Sequence, residues 1–184
     1  MSGVGVTRER LVRAATGAVM RAGVHGSAIA EICERAGVTK GVFTHHFPDG
    51  KEQLVVEVVE RTRAELTSVV RSGRDESAAS RVRGLLGTYA DRLRRNGTDR
   101  GCPVVAAVVD SSAQSSRVRD ATRAAFAEWA SELGCGDRVG ELVIAALEGA
   151  ILQARAQDDP DVVDRIGDTL ADLLATSEVG RVAS

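Results

Sequence analysis

The sequence predicts an all-α protein. It holds only three prolines in 184 residues. Apolar residues recur at three- and four-residue spacing along nearly the whole chain, and period-two alternation of β-branched residues is scarce. Residues 27–54 add a third observation. Two short helical patterns meet there at Ala36-Gly37-Val38, and Pro48-Asp49-Gly50 closes the second. That is the sequence shape of a helix-turn-helix, a unit that lays its second helix in a DNA major groove.

The elements follow in chain order. The first helix is expected over residues 7–22, with Leu11, Ala15, Ala18, Val19 and Ala22 on one face and Gly23 ending it. Ser27 is expected to cap the second helix. Ile29, Ile32 and Cys33 form its buried stripe, and Gly37 ends it without Cβ strain. Val38 is an apolar plug, and Thr39 caps a very short third helix whose Val42, Phe43 and Phe47 supply apolar contacts. A linking helix over 51–71 turns Leu54, Val55, Val58 and Val59 inward, and Ser72-Gly73-Arg74-Asp75 breaks it. Val82, Leu85, Leu86, Tyr89 and Leu93 mark a fifth helix, stopped by Asn96-Gly97. Pro103, suited to a first helical turn, opens the sixth, which a polar break over 111–116 ends.

Val118, Ala125, Phe126, Trp129 and Leu133 mark the seventh helix, ended by Gly134-Cys135-Gly136. Val139, Leu142, Val143, Ala146, Leu147, Ala150 and Ile151 mark the eighth, broken by Asp158-Asp159-Pro160. Val163, Ile166, Leu170, Leu173 and Leu174 mark the last, expected to fray after about Thr176. The expected organisation is a three-helix module over residues 1–50 and a bundle of about six helices over 51–184.

Composition narrows the partners. The net charge is −2, which by itself argues against a general nucleic-acid binder. Its distribution reverses that reading. Residues 1–51 hold seven Lys/Arg against four Asp/Glu, a net of +3, and residues 52–184 hold 17 against 22, a net of −5. The basic excess sits on the expected DNA-binding module, residues 1–51, and the acidic remainder on the rest of the chain. No apolar run approaches a bilayer span, and the N-terminal segment lacks a basic stretch followed by an apolar core. Three widely spaced cysteines, Cys33, Cys102 and Cys135, form no CxxC and suggest no disulfide framework. A reducing cytoplasm, with no membrane partner, is the expected setting.

The third helix points Thr39, Lys40, Gly41, Thr44 and His45 outward. These are short donors, a cation and a residue without a side chain, which permits close approach to a phosphate backbone. Lys51 opens the next helix, where its ammonium and the helix N-terminus both suit a phosphate. With Ser27 and Val42 these residues are the expected DNA contacts, to a palindromic double-stranded operator.

The run Ile29-Ala30-Glu31-Ile32-Cys33-Glu34-Arg35-Ala36-Gly37-Val38-Thr39-Lys40-Gly41, then His45-His46-Phe47 and Lys51, resembles the DNA-binding domain of the TetR family of bacterial repressors. Thr44 departs from the family, which usually has Tyr there; a Thr hydroxyl still bonds but reaches less far. Gly101-Cys102-Pro103-Val104, residues 146–152, Ala154-Arg155-Ala156 and the Phe47-Pro48-Asp49-Gly50-Lys51 loop resemble one subgroup, the lincomycin-resistance-repressor type.

The resemblance implies a homodimer built on the last two helices, with Leu142, Ala146, Gly149, Ala150, Val163, Ile166, Leu170 and Leu173 at its interface. Small residues there admit a close helix, although the same stripes also serve an intramolecular core. A dimer has an independent argument: one short recognition helix reads few bases, and two-fold pairing sets two in successive major grooves about 34–36 Å apart. The resemblance also implies a small apolar effector at the bundle centre. Leu86, Tyr89, Val105, Val109, Phe126, Trp129 and Ile151 would surround it, with Gln153, Cys102 and Tyr89 as polar groups. The i, i+3 spacing of Phe126 and Trp129 equally suits ordinary core.

No cofactor, metal or catalytic set is expected. His45 and His46 are adjacent, whereas metal pairs on helices want i, i+4 spacing. The acidic cluster Asp158, Asp159, Asp161 lacks calcium-loop spacing and suits a helix N-terminus instead. Cys102 before a proline reads either as an inert buried thiol or as a redox-sensing one. No Gly-rich phosphate loop or converging Ser/His/Asp set is present. The expected function is a ligand-released transcriptional repressor; an adaptor that kept the fold without operator binding is the alternative.

Overall fold

A computed structural model describes residues 3–73 and 76–182, with backbone alone at 3–4 and 177–182. The described residues form nine helices and no strand: α1 (Gly3–Gly26), α2 (Ile29–Ala36), α3 (Lys40–His46), α4 (Gly50–Ser72), α5 (Ala78–Asn96), α6 (Pro103–Ser111), α7 (Ser116–Glu132), α8 (Asp137–Gln157) and α9 (Asp161–Val182). None of them is long and apolar enough to cross a membrane.

The breaks fall where the punctuation puts them. Gly23 (φ 73°, ψ 178°) interrupts α1 in a backbone region that L side chains avoid. Gly97 caps α5 at φ 95°, Pro103 opens α6, and Asp159 accepts from the Asp161 backbone N–H at 2.9 Å to start α9. Four expectations are corrected. α1 starts at Gly3, before residue 7, and its Ala22 is exposed rather than on the buried face. The N-cap of α2 is Ala28, which has no side chain to cap with. α9 continues through the expected fraying point to Val182. Of the break after α4, Arg74 and Asp75 lie outside the described residues.

The chain divides into two compact units, and the division falls within α4 and α7. The first unit comprises Met1–Thr62 and Gly101–Ala125. Here α1 packs on α2 and α6. Leu11, Ala15, Ile32, Phe43, Phe47, Leu54 and Val58 form one buried cluster. The second unit comprises Arg63–Arg100 and Phe126–Ser184. There α5 and α8 both pack on α9. Trp129 is fully buried, sets its ring edge-on to Phe126 at 5.7 Å, and donates its indole N–H to the Arg63 carbonyl at 3.1 Å. Two glycines of this unit sit under neighbouring helices. A Cβ on Gly167 would lie 2.8 Å from Leu86 Cβ, and one on Gly140 would lie 2.7 Å from the Ala130 carbonyl carbon.

Candidate nucleic-acid interface

The interface is built on the turn between α2 and α3. Gly37 adopts the left-handed conformation (φ 63°, ψ 41°). Its N–H donates to the Glu34 carbonyl and that of Val38 to the Cys33 carbonyl, both at 2.9 Å. This paired closure satisfies two carbonyls at the end of α2 and turns the chain sharply. Thr39 then caps α3, its Oγ1 accepting from the Val42 N–H at 3.4 Å. Phe43 and Phe47 are buried and stacked at 5.5 Å, which holds the inner face of this short helix. Its opposite face carries the exposed Thr39, Lys40, Gly41, Thr44 and His45, with Val42 half-buried.

Glycine at 41 is not required by the chain itself. A Cβ there would meet only Thr39 Oγ1, at an ordinary 3.8 Å. Thr44 directs its hydroxyl proton back to the Lys40 carbonyl at 3.1 Å, leaving the oxygen lone pairs as acceptors.

Ser27 does not belong with this set. It is fully buried and donates its hydroxyl to the Val24 carbonyl at 2.8 Å, so it anchors the approach to α2 instead of facing outward. Lys51 is half-buried at the start of α4. Burial pulls its ammonium pKa down and the nearby Asp110 carboxylate opposes that pull.

Two charged residues that sequence reasoning passed over position the module. Arg8 of α1 lies 4.5 Å over the Phe47 ring, donates to the His46 carbonyl at the end of α3, and pairs with Glu57 of α4. It ties three helices at the point where the recognition helix ends. Asp110 of α6 accepts from the Val24 N–H at 2.7 Å and the His25 N–H at 3.2 Å. Its Oδ2 would stand 2.7 Å from a Cβ on Gly23, so the glycine admits the carboxylate to the end of α1. Periodicity gives no signal for either residue, because both partners are distant in sequence and each looks like a solvated charge. The thiol of Cys33 is buried behind the same module, which raises its pKa against the opposing charge of Lys40.

The other expected site residues separate into those inside and those outside. Leu86, Tyr89, Trp129 and Ile151 are buried in the second unit, with Phe126 half-buried. Cys102 is buried and Val105 half-buried, both in the first unit. Val109 is 77% exposed: α6 turns Pro103, Val104 and Ala107 inward, and a residue two places past Ala107 faces away. Gln153 is likewise exposed, off the inward stripe Val143, Leu147, Ala150 and Ala154 of α8. Neither lines the interior of a single chain, contrary to the expectation. Of the expected dimer residues, Ala150 and Val163 are fully buried in the chain's own core and are corrected to that role. Leu142 and Leu173 are 60% and 61% exposed, and Ala146, Gly149, Ile166 and Leu170 are half-buried. A Cβ on Gly149 would meet open space.

Among the described residues, no group of three His, Cys, Asp or Glu side chains is placed to hold a metal ion.

Comparison with known proteins agrees with this architecture. Residues 11–58 match the family model of bacterial regulatory proteins, tetR family, and residues 78–134 match a tetracyclin repressor-like C-terminal domain. The chain is 29% identical to an uncharacterised HTH-type transcriptional regulator of Mycobacterium tuberculosis, covering 91% of this chain and 93% of that one. It is 28% identical to the HTH-type transcriptional regulator LmrA of Bacillus subtilis, over 92% and 97% of the two chains. Among solved structures, the regulatory protein TetR of Rhodobacter sphaeroides superposes with a TM-score of 0.80 at 22% identity, over 91% of this chain and 98% of that one. A TetR transcriptional regulator of Chloroflexus aurantiacus gives 0.78 at 24%, over 95% and 97%.

Proposed function

Because the chain belongs to the tetR family of bacterial regulatory proteins and is a transcriptional regulator with a helix-turn-helix DNA-binding domain, we propose that it is a homodimeric repressor. In this reading a small apolar effector releases it from a palindromic operator. Residues 1–50 bind DNA and residues 51–184 bind the effector and a second copy. The observation that carries the reading is the outer face of α3. Five polar, cationic or side-chain-free residues are exposed together on a helix held from behind by Phe43, Phe47 and Arg8.

Lys40 and Lys51 fix register on phosphates, the N-terminal residues of α3 meet base edges, and Gly41 lets the backbone come close. Dimerisation uses the outward stripe Leu142, Ala146 and Gly149 of α8 with Ile166, Leu170 and Leu173 of α9. The open space over Gly149 supports a close helix crossing there. An effector that takes the operator from nearly full to nearly empty must prefer the released state by about 5.5 kcal/mol. The aromatic pair of buried Trp129 and half-buried Phe126, with buried Tyr89 and Leu86, supports an apolar site in the second unit.

Gly41→Ala tests the reading without disturbing the fold. Alanine fits the space and removes the entropic cost of a helical glycine, so stability should hold or rise by roughly 0.5–1 kcal/mol. Operator affinity, measured on DNA selected by the purified protein, should fall by about tenfold or more, or roughly 1.4 kcal/mol. Lys40→Ala should lower the salt slope of binding by about 0.9. Operator affinity unchanged in both variants would overturn the assignment of these contacts, and only weak, sequence-blind binding by the parent protein would favour the adaptor reading.

A further inference from the structure

We propose that a groove between α1 and the end of α2 is a track for the sugar-phosphate backbone of DNA, beyond the contacts made by α3. The proposal rests on the DNA-binding reading and extends it to residues outside the helix-turn-helix face. The groove has a volume of about 400 Å³ and is lined by Arg10, Arg13 and Arg21 of α1 and Arg35 of α2. Its floor is Ala14, Gly17 and Ala36. Four guanidinium groups therefore surround a concavity that no carboxylate lines.

The arrangement follows from helical spacing. Residues 10, 14, 17 and 21 recur at three- and four-residue intervals and share one face of α1. The small residues keep that face hollow while the arginines rim it. At 1.5 Å rise per residue, Arg10 and Arg21 are rooted roughly 17 Å apart. A single phosphate cannot span that distance, whereas a nucleic-acid strand supplies phosphates continuously along it.

Arg10, Arg13 and Arg35 are available for such a ligand. Arg10 makes no hydrogen bond or ion pair among the described residues, and its guanidinium overhangs Gly37, 2.7 Å from where a Cβ would stand. Arg13 pairs with Glu9 at 3.5 Å and Arg35 with Glu31 at 2.9 Å. Both are exposed i, i+4 pairs, the class that exchanges partners at little cost. Glu9 is shared with Arg61, whose hydrogen bond is the main reason its carboxyl pKa is lowered. The groove also borders the turn into α3, because Arg10 on its rim overhangs Gly37, two residues before Thr39. Arginine forks suit phosphate oxygens, and such contacts set affinity and register without reading sequence.

The experiment uses the full chain and its Arg10→Gln/Arg13→Gln variant, both exposed positions, with thermal unfolding to confirm the fold. Binding to a selected operator duplex is followed over a salt series. The slope of log affinity against log salt should flatten by about 1.8 for two lost phosphate contacts. Affinity for unrelated DNA should fall by the same factor. Wild-type protein that binds DNA with a slope the variant retains overturns the groove proposal and leaves the α3 reading standing. Wild-type protein without salt-sensitive DNA binding overturns the α3 reading and the groove together. An increase in melting temperature with inorganic tripolyphosphate that the variant loses, alongside an unchanged DNA slope, would assign the groove to a free polyanion and also overturn the proposal.

Discussion

Replacing Gly140 by valine should lower the melting temperature by on the order of 10 °C. Gly140 is buried near the start of α8, facing the backbone of α7. A Cβ there would press into the Ala130 carbonyl and lie 2.7 Å from its carbon and 2.9 Å from Ala130 Cα. These are backbone atoms, so no side chain can rotate away, and α8 must shift from α7. Overpacking of this kind costs about 3 kcal/mol or more, a large part of the roughly 5–15 kcal/mol that holds a domain together. For a chain of this length each kcal/mol shifts the midpoint by about 2–4 °C. Gly84→Ala on α5, where nothing lies within 4 Å, is the control and should stabilise by roughly 0.5–1 kcal/mol. Thermal unfolding followed by circular dichroism decides the matter. A midpoint for Gly140→Val within 2 °C of the parent would show that α8 does not need this approach.

Asp110→Ala is expected to have the second largest effect and to reach the DNA-binding module from α6. The carboxylate accepts from two successive backbone N–H groups at the α1–α2 junction. A hydrogen bond to a charged group contributes about 1.5–3 kcal/mol. Part of that is recovered from water, since the junction is only partly buried, and a loss of about 2 kcal/mol is the expected balance. Lys51 also loses the charge that opposes its desolvation, so its ammonium pKa should fall further. Operator affinity should drop at least tenfold, because the approach to α2 and the start of α4 are both loosened. Asp110→Asn keeps one acceptor oxygen and should recover much of the stability. Equal stability and affinity in Asp110→Ala and the parent would remove Asp110 from the positioning role. The same carboxylate explains why Gly23 cannot be varied: alanine there meets both a glycine-only backbone conformation and Asp110 Oδ2.

Much of this was legible from the residues alone. Gly37, Gly97, Pro103 and the Asp158-Asp159-Pro160 break act through local backbone rules, and local rules survive folding. Thr39 caps α3 for the same reason. The failures have one physical source, which is that spacing along a helix does not say which face its neighbours cover. Ala150 and Val163 sit on apolar stripes that suit a partner chain as well as a core, and the chain's own packing takes them. Val109 follows an apolar run on α6 yet faces outward. Ser27 fits the cap pattern, but its hydroxyl is used one turn earlier, on the Val24 carbonyl. Arg8 and Asp110 could not be found, since their roles depend on partners 38 to 86 residues away. The arginine groove was readable in part: residues 10, 14, 17 and 21 show a helical stripe, but only the packing of α2 beside it makes the stripe concave.

Repression as proposed requires two copies of α3 to read one DNA site. The number of chains bound per selected operator duplex, measured by sedimentation at several salt concentrations, tests this most directly. Two chains per palindromic site are predicted, with half-sites one helical turn apart and affinity that falls steeply with salt. A single chain per duplex, or sequence-blind binding without fixed stoichiometry, would contradict it.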